Sequence, residues 1–134
     1  METSLEQAVA LRPAWPTGWA ELFKIRAITK GFFHPDTQEA LDMALHYGFY
    51  FKSVVVRVLP LLMKNWQQLK PEHKGTYYTM LNSALANGNL RNFVMASAKA
   101  TNTQKWPCLQ IKLNKRHEKL KGSGWHKRHC KFAL

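Results

Sequence analysis

Ala8-Val9-Ala10-Leu11-Arg12-Pro13-Ala14-Trp15-Pro16-Thr17-Gly18-Trp19-Ala20-Glu21-Leu22 is the stretch from which the fold is read. Just upstream and into it, Leu5, Ala8, Val9 and Leu11 recur at the spacing of one helical face, and Ser4 with Gln7 has the form of a capping box. The spacing predicts a helix over residues 4–11. Pro13 lacks the N–H that another turn would need, so the helix closes there and the Pro13-Ala14-Trp15-Pro16 connection redirects the chain. Thr17 then stands as the N-cap of a second helix, whose apolar positions Trp19, Leu22, Phe23, Ile25, Ala27 and Ile28 run to about Lys30 before Gly31. Two short helices joined by so short a turn form an antiparallel hairpin.

Downstream the same punctuation continues. Asp36, with Glu39 three residues on, reads as the cap of a third helix carrying Ala40, Leu41, Ala44, Leu45 and Tyr47 up to Gly48. Residues 49–66 are the most apolar run, yet Lys52 and Arg57 interrupt it, and two such cations would each cost roughly 2.5–3.5 kcal/mol in a bilayer centre. A buried helix kinked near Pro60 is expected rather than a membrane span or a strand. Pro71 opens a fifth helix through Tyr77, Met80, Leu81 and Leu85 to Asn87-Gly88, and a sixth carries Phe93, Val94, Ala96 and Ala98. Beyond Trp106-Pro107 the alternation of Leu109, Ile111 and Leu113 with polar residues is strand-like, and a Lys/Arg-rich tail follows. The expectation is an all-α fold of antiparallel helix hairpins over residues 1–104 with a basic C-terminal segment over residues 105–134.

Composition narrows the class. A chain of 134 residues with 46% hydrophobic residues buries roughly two-thirds of the surface its unfolded form exposes, which sets aside collagen-like, disordered and disulfide-scaffold classes. Cys108 and Cys130 are open to two readings, one late bridge or two free thiols. No apolar signal core occupies the first twenty residues, so the chain reads as cytoplasmic. The net charge of +12 is uneven, with 9 Lys+Arg against Glu118 alone in residues 105–134. Such asymmetry points to a polyanion: nucleic acid, an anionic membrane surface or an acidic polymer.

Leu5, Ala8 and Pro13, followed by Trp19 and Leu22, resemble the end of one tetratricopeptide hairpin and the opening of the next. In that pattern the small Ala8 admits a neighbouring helix and the large Trp19 fills the space between hairpins, with Ala40 and Ala44 recurring as close-packing positions. Phe23 departs from it where a small residue is expected. The chain therefore resembles a degenerate tetratricopeptide-like, right-handed helical array. The block Ala8–Leu22, with the Ala40–Gly48 helix, is similar to bacterial exopolysaccharide-biosynthesis accessory proteins of the VpsP type. That resemblance implies a non-catalytic scaffold for a protein partner in polysaccharide assembly, attached to the inner membrane by an anchor ahead of this domain; the sequence shows no such anchor.

Candidate binding residues follow from charge and aromaticity. Lys112, Lys115, Arg116, Lys119, Lys121, Lys127, Arg128 and Lys131 are candidates for polyanion contact, the first four sharing one face if residues 108–121 are helical. Trp15, Trp106 and Trp125 are candidates for stacking on bases or sugar rings. Cys108, His117, His126, His129 and Cys130 include zinc-ligand types, but their spacing matches no zinc finger and the surrounding cations oppose a metal ion. No Gly-rich phosphate loop, nucleophile elbow or paired-carboxylate motif occurs, so the reading is non-enzymatic, without cofactor or metal. The two functions carried forward are a helical scaffold in exopolysaccharide biosynthesis and a small basic nucleic-acid-binding regulator.

Overall fold

Three helices begin on a proline, which helps to fix where they start. The computed structural model describes residues 2–131. The helices are α1 (Glu2–Leu11), α2 (Pro16–Thr29), α3 (Pro35–Gly48), α4 (Lys52–Lys64), α5 (Pro71–Ala86), α6 (Gly88–Ala100), α7 (Lys105–Leu113) and α8 (Gly124–His129), with 3-10 turns at Trp66–Gln68 and Lys115–His117. No strand occurs among the described residues, so the fold is all-helical.

Proline suits the first helical position because its φ is preset and its missing N–H has no partner to lose there. Pro16 opens α2, so Thr17 is not its cap; the Thr17 hydroxyl lies 2.7 Å from that of Ser53 instead. Pro35 opens α3, and the cap is His34, whose Nδ1 accepts the Asp36 N–H at 3.1 Å, rather than Asp36. Since α1 already begins at Glu2, Ser4 lies within it and the expected capping box does not form. Pro60 sits inside α4, where the apolar run is helical. No helix among the described residues is long and apolar enough to cross a membrane.

The chain divides into two compact units, one ending at Leu61 and the other beginning at Leu62, within α4. In the first unit α2 packs against both α1 and α3. Val9, Trp19, Ala20, Leu22, Phe23, Ala40, Leu41 and Ala44 are buried, and the Trp19 indole donates to the Pro13 carbonyl at 2.8 Å. Gly48 lies against Pro16, where a Cβ would come within 2.4 Å of the ring, so the close approach of α3 to the start of α2 requires glycine. Arg26, 8% exposed, lies within 4.0 Å of Glu2, Glu6 and Glu39 and donates to the Asp36 carbonyl at 2.9 Å, joining α1, α2 and α3 by charge as well as by packing.

In the second unit α5 packs against α6 and α7, and α7 against α8. The Leu109–Leu113 alternation is helical in α7, not a strand: Cys108 and Ile111 are buried three residues apart, as one helical face requires, while Leu113 is 72% exposed. Residues 105–131 are not a solvated tail. Cys108 and Cys130 form a disulfide with both residues buried, and His117 and His126 are buried with them. The division of the chain therefore falls at Leu61 and not near residue 104, because the C-terminal helices contribute core residues to the second unit.

Candidate functional site

The division between units also divides the charge. Residues 1–61 hold 6 Lys+Arg and 6 Asp+Glu, while residues 62–134 hold 14 Lys+Arg against Glu72 and Glu118. The second unit thus carries all of the +12. In the first unit three of the six cations meet carboxylates: Arg26 as above, Lys30 with Asp36 at 2.8 Å, and Arg57 with Glu21. The Lys30 ammonium, hydrogen-bonded to Asp36, is held above the ordinary lysine range, and the Asp36 carboxyl is correspondingly held below its own. In the second unit two side-chain carboxylates stand against fourteen cations, so most of that charge has no carboxylate counter-ion in the same unit.

All eight basic candidates are exposed. They do not form the expected helical stripe, because α7 ends at Leu113 and Asn114 then caps the Lys115–His117 turn by accepting the Arg116 N–H at 3.0 Å. What the fold gathers instead is Lys112, Lys115 and Lys121, which with Glu118 line a depression of about 130 Å³. Arg116 and Lys119 lie outside it, and Lys127 and Arg128 belong to α8.

A larger cleft of about 370 Å³ opens between the Trp66–Gln68 turn and the α6–α7 connection. Trp66 and Trp106 face it with ring centroids 4.8 Å apart and planes inclined at 55°. Tyr77 and Tyr78 support Trp66 from within the unit, at 5.4 and 5.2 Å. Burial pushes both phenols up from their ordinary value, so they remain neutral under physiological conditions. Lys74 stands 5.1 Å from the Trp66 centroid and Lys105 stands 4.8 Å from that of Trp106. Apart from Met63, the rest of the lining is amide, hydroxyl and ammonium groups, including Lys64, Gln67, Gln68 and Asn102, with no carboxylate. Asn102 adopts φ 57, the left-handed conformation that asparagine tolerates, and so turns the chain from α6 toward α7.

Of the stacking candidates, Trp106 alone lines this cleft. Trp125 is engaged elsewhere: its indole donates to Asn92 at 2.8 Å, and its ring lies 4.5 Å from that of His129 and 5.8 Å from the Arg91 guanidinium. Trp15 belongs to the first unit, seated on Gly18 with the Arg12 guanidinium 4.8 Å from its ring. Trp66 is not among the sequence candidates. The signal that points to the cleft is the pair of tryptophans each beside amide or hydroxyl residues, Trp66-Gln67-Gln68 and Thr101-Asn102-Thr103 shortly before Trp106.

The metal-ligand types are committed otherwise. Cys108 and Cys130 are bonded to each other, and no group of three or more His, Cys, Asp or Glu that could hold a metal occurs among the described residues. Asn82 donates to Gln110 at 3.0 Å and to the Tyr78 carbonyl at 2.9 Å, so its oxygen is the acceptor for His117 Nε2 at 2.8 Å. His126 Nδ1 accepts the Gly122 N–H at 2.8 Å. Burial, reinforced by Arg116 and Arg91 for His117 and by Lys121 for His126, holds both imidazoles below their ordinary value.

Stability should follow the sign of those shifts. The unfolded chain takes up protons on these histidines at a higher pH than the folded one, so their contribution is complete above the ordinary histidine pKa of about 6.5 and is lost as the pH falls through the folded values. A proton on His126 Nδ1 would also replace an acceptor with a second donor facing Gly122. Urea midpoints measured from about pH 7.5 down to about pH 5.5, where carboxylates stay ionised, are expected to decline. A midpoint that is flat across this window would contradict the assignment.

The chain matches no known family model, and no curated protein and no solved structure matches it.

Proposed function

We propose that this protein is a non-enzymatic helical binding module whose second unit holds nucleic acid through phosphate contacts. The observation that carries the reading is the partition of charge: a unit with six cations and six carboxylates, and a unit with fourteen cations and two carboxylates. A surface of that kind gains affinity by releasing counter-ions condensed on a polyanion. The Lys112, Lys115 and Lys121 depression supplies a place where one phosphate meets several ammonium groups.

The test is charge reversal in each unit in turn. With single-stranded RNA at 0.1 M salt, the triple variant Lys112→Glu, Lys115→Glu, Lys121→Glu is expected to bind roughly a hundredfold more weakly, since each lost contact is worth about 0.7 in the logarithm there. Lys24→Glu with Lys52→Glu, both exposed on the first unit, is expected to change affinity by less than about twofold. Equal losses from the two sets would sink the reading.

A second reading, the protein-binding scaffold of exopolysaccharide biosynthesis, is favoured by a different observation. Six of the large apolar residues exposed among the described residues lie in the first unit, among them Leu11 at 84% and Ile28 at 82%. Exposed apolar side chains on a neutral unit suit a protein partner. That reading predicts binding that survives the triple reversal in the second unit.

A further inference from the structure

We infer that the Trp66–Trp106 cleft receives an unstacked nucleobase of a single strand, an inference that rests on the nucleic-acid reading above. Two indoles in contact, inclined at 55° with centroids 4.8 Å apart, form a continuous aromatic surface on the cleft wall against which a base can lie, and the cleft volume of about 370 Å³ falls within the range of small-ligand sites. Every base has a π-face, so an exposed tryptophan face accepts bases without regard to sequence. Gln67, Gln68 and Asn102 add amide groups, each with a donor and an acceptor, which match the edge of a base.

The chemistry of the rim separates this ligand from a neutral sugar. The lining holds Lys64 and Lys105 and no carboxylate, so it lacks the charged acceptors that a polyhydroxyl ring would use and supplies cations for a ligand that is itself anionic. A nucleotide combines a flat aromatic face with a phosphate; a uronate offers the charge without the π-face. Duplex nucleic acid keeps its bases stacked, so it reaches the lysines but not the indole faces. Lys64 and Lys105 are placed to meet the phosphates flanking the inserted base.

The experiment uses the full chain and three labelled ligands at one salt concentration: a mixed-sequence single-stranded RNA, the same strand with several abasic positions, and the matching duplex. The direct binding of a labelled acidic polyuronate is measured beside them. The abasic strand keeps its phosphates, so the expected result is a loss of roughly 5- to 100-fold relative to the intact strand with an unchanged salt slope. Trp106→Ala should reproduce that loss on the intact strand and leave the duplex affinity as it was, while Trp106→Phe retains most of the binding. Equal affinity for intact and abasic strands overturns the cleft assignment yet leaves phosphate binding by the second unit standing. Failure of both single strand and duplex to bind overturns the nucleic-acid reading and the inference with it. Direct binding of polyuronate tighter than that of the intact strand, and lost in Trp106→Ala, would assign the cleft to an acidic sugar and overturn the nucleobase.

Discussion

Replacing Phe23 with Ala is expected to destabilise the protein by about 3–5 kcal/mol, the range for removing a fully buried aromatic ring. Phe23 is 0% exposed and meets Phe32 edge to face, with ring centroids 5.8 Å apart, beneath the packing of α2 on α1 and α3. The position is informative because a regular tetratricopeptide pattern places a small residue there to let helices approach. Here the large ring fills the space, and the close approaches fall at other small residues, Ala40 and Ala44, both 0% exposed, and at Gly48. Chemical denaturation followed by circular dichroism gives the number. A loss below about 1 kcal/mol would mean that the site collapses around alanine, as a repeat-like register would allow, and that Phe23 is not a core residue.

The second large effect concerns the bond between Cys108 and Cys130. It closes a loop of 22 residues in sequence separation and joins α7 to the end of α8. Restricting an unfolded loop of that length is worth about 3 kcal/mol on the chain-entropy account. Reduction, or Cys108→Ala with Cys130→Ala, is therefore expected to lower the melting temperature by on the order of 10 °C or more. Both cysteines are 0% exposed, so reductant alone should act slowly on the native protein and quickly once mild denaturant opens it. Because Lys112, Lys115 and Lys121 lie inside the closed loop, nucleic-acid affinity should fall together with stability. Identical melting of oxidised and reduced protein would show that the bridge does not hold this region.

Helical class and the first six helices were legible because apolar spacing, Gly31 and the Asn87-Gly88 stop are local signals, whereas α7 and α8 were not. Starts were less so. Thr17 and Asp36 are good capping residues, but Pro16 and Pro35 precede them and open the helix one residue earlier, which converts the supposed caps into first-turn residues. The strand-like alternation of Leu109, Ile111 and Leu113 failed for a tertiary reason: burial of Cys108 with Ile111, fixed by the bridge to Cys130, selects the helical period over the alternating one. The same bridge made a folded segment of what charge alone described as a tail.

The binding residues divide in a similar way. Charge could be counted from sequence, and its sign required no structure; the place where Lys112, Lys115 and Lys121 meet depends on α7 ending at Leu113 and the chain turning back. Trp106 was visible as an aromatic among cations, but its partner Trp66 lies forty residues earlier and comes beside it only through the packing of the second unit. No local pattern joins two such positions. The partition of charge at Leu61 was invisible for the same reason, since the boundary falls inside α4, where Pro60 interrupts a helix rather than a linker and no glycine- or serine-rich stretch occurs.

The central claim is that the second unit binds a polyanion through phosphate contacts, and the most direct measurement is the salt dependence of that binding. Affinity of the full chain for a single-stranded RNA would be determined across about 50–500 mM salt and plotted on logarithmic axes. Four or more phosphates held by the lysines and arginines of residues 62–131 should give a slope of about −3 or steeper, at roughly −0.7 for each contact. A slope shallower than about −1, or no binding at the lowest salt, would contradict the account.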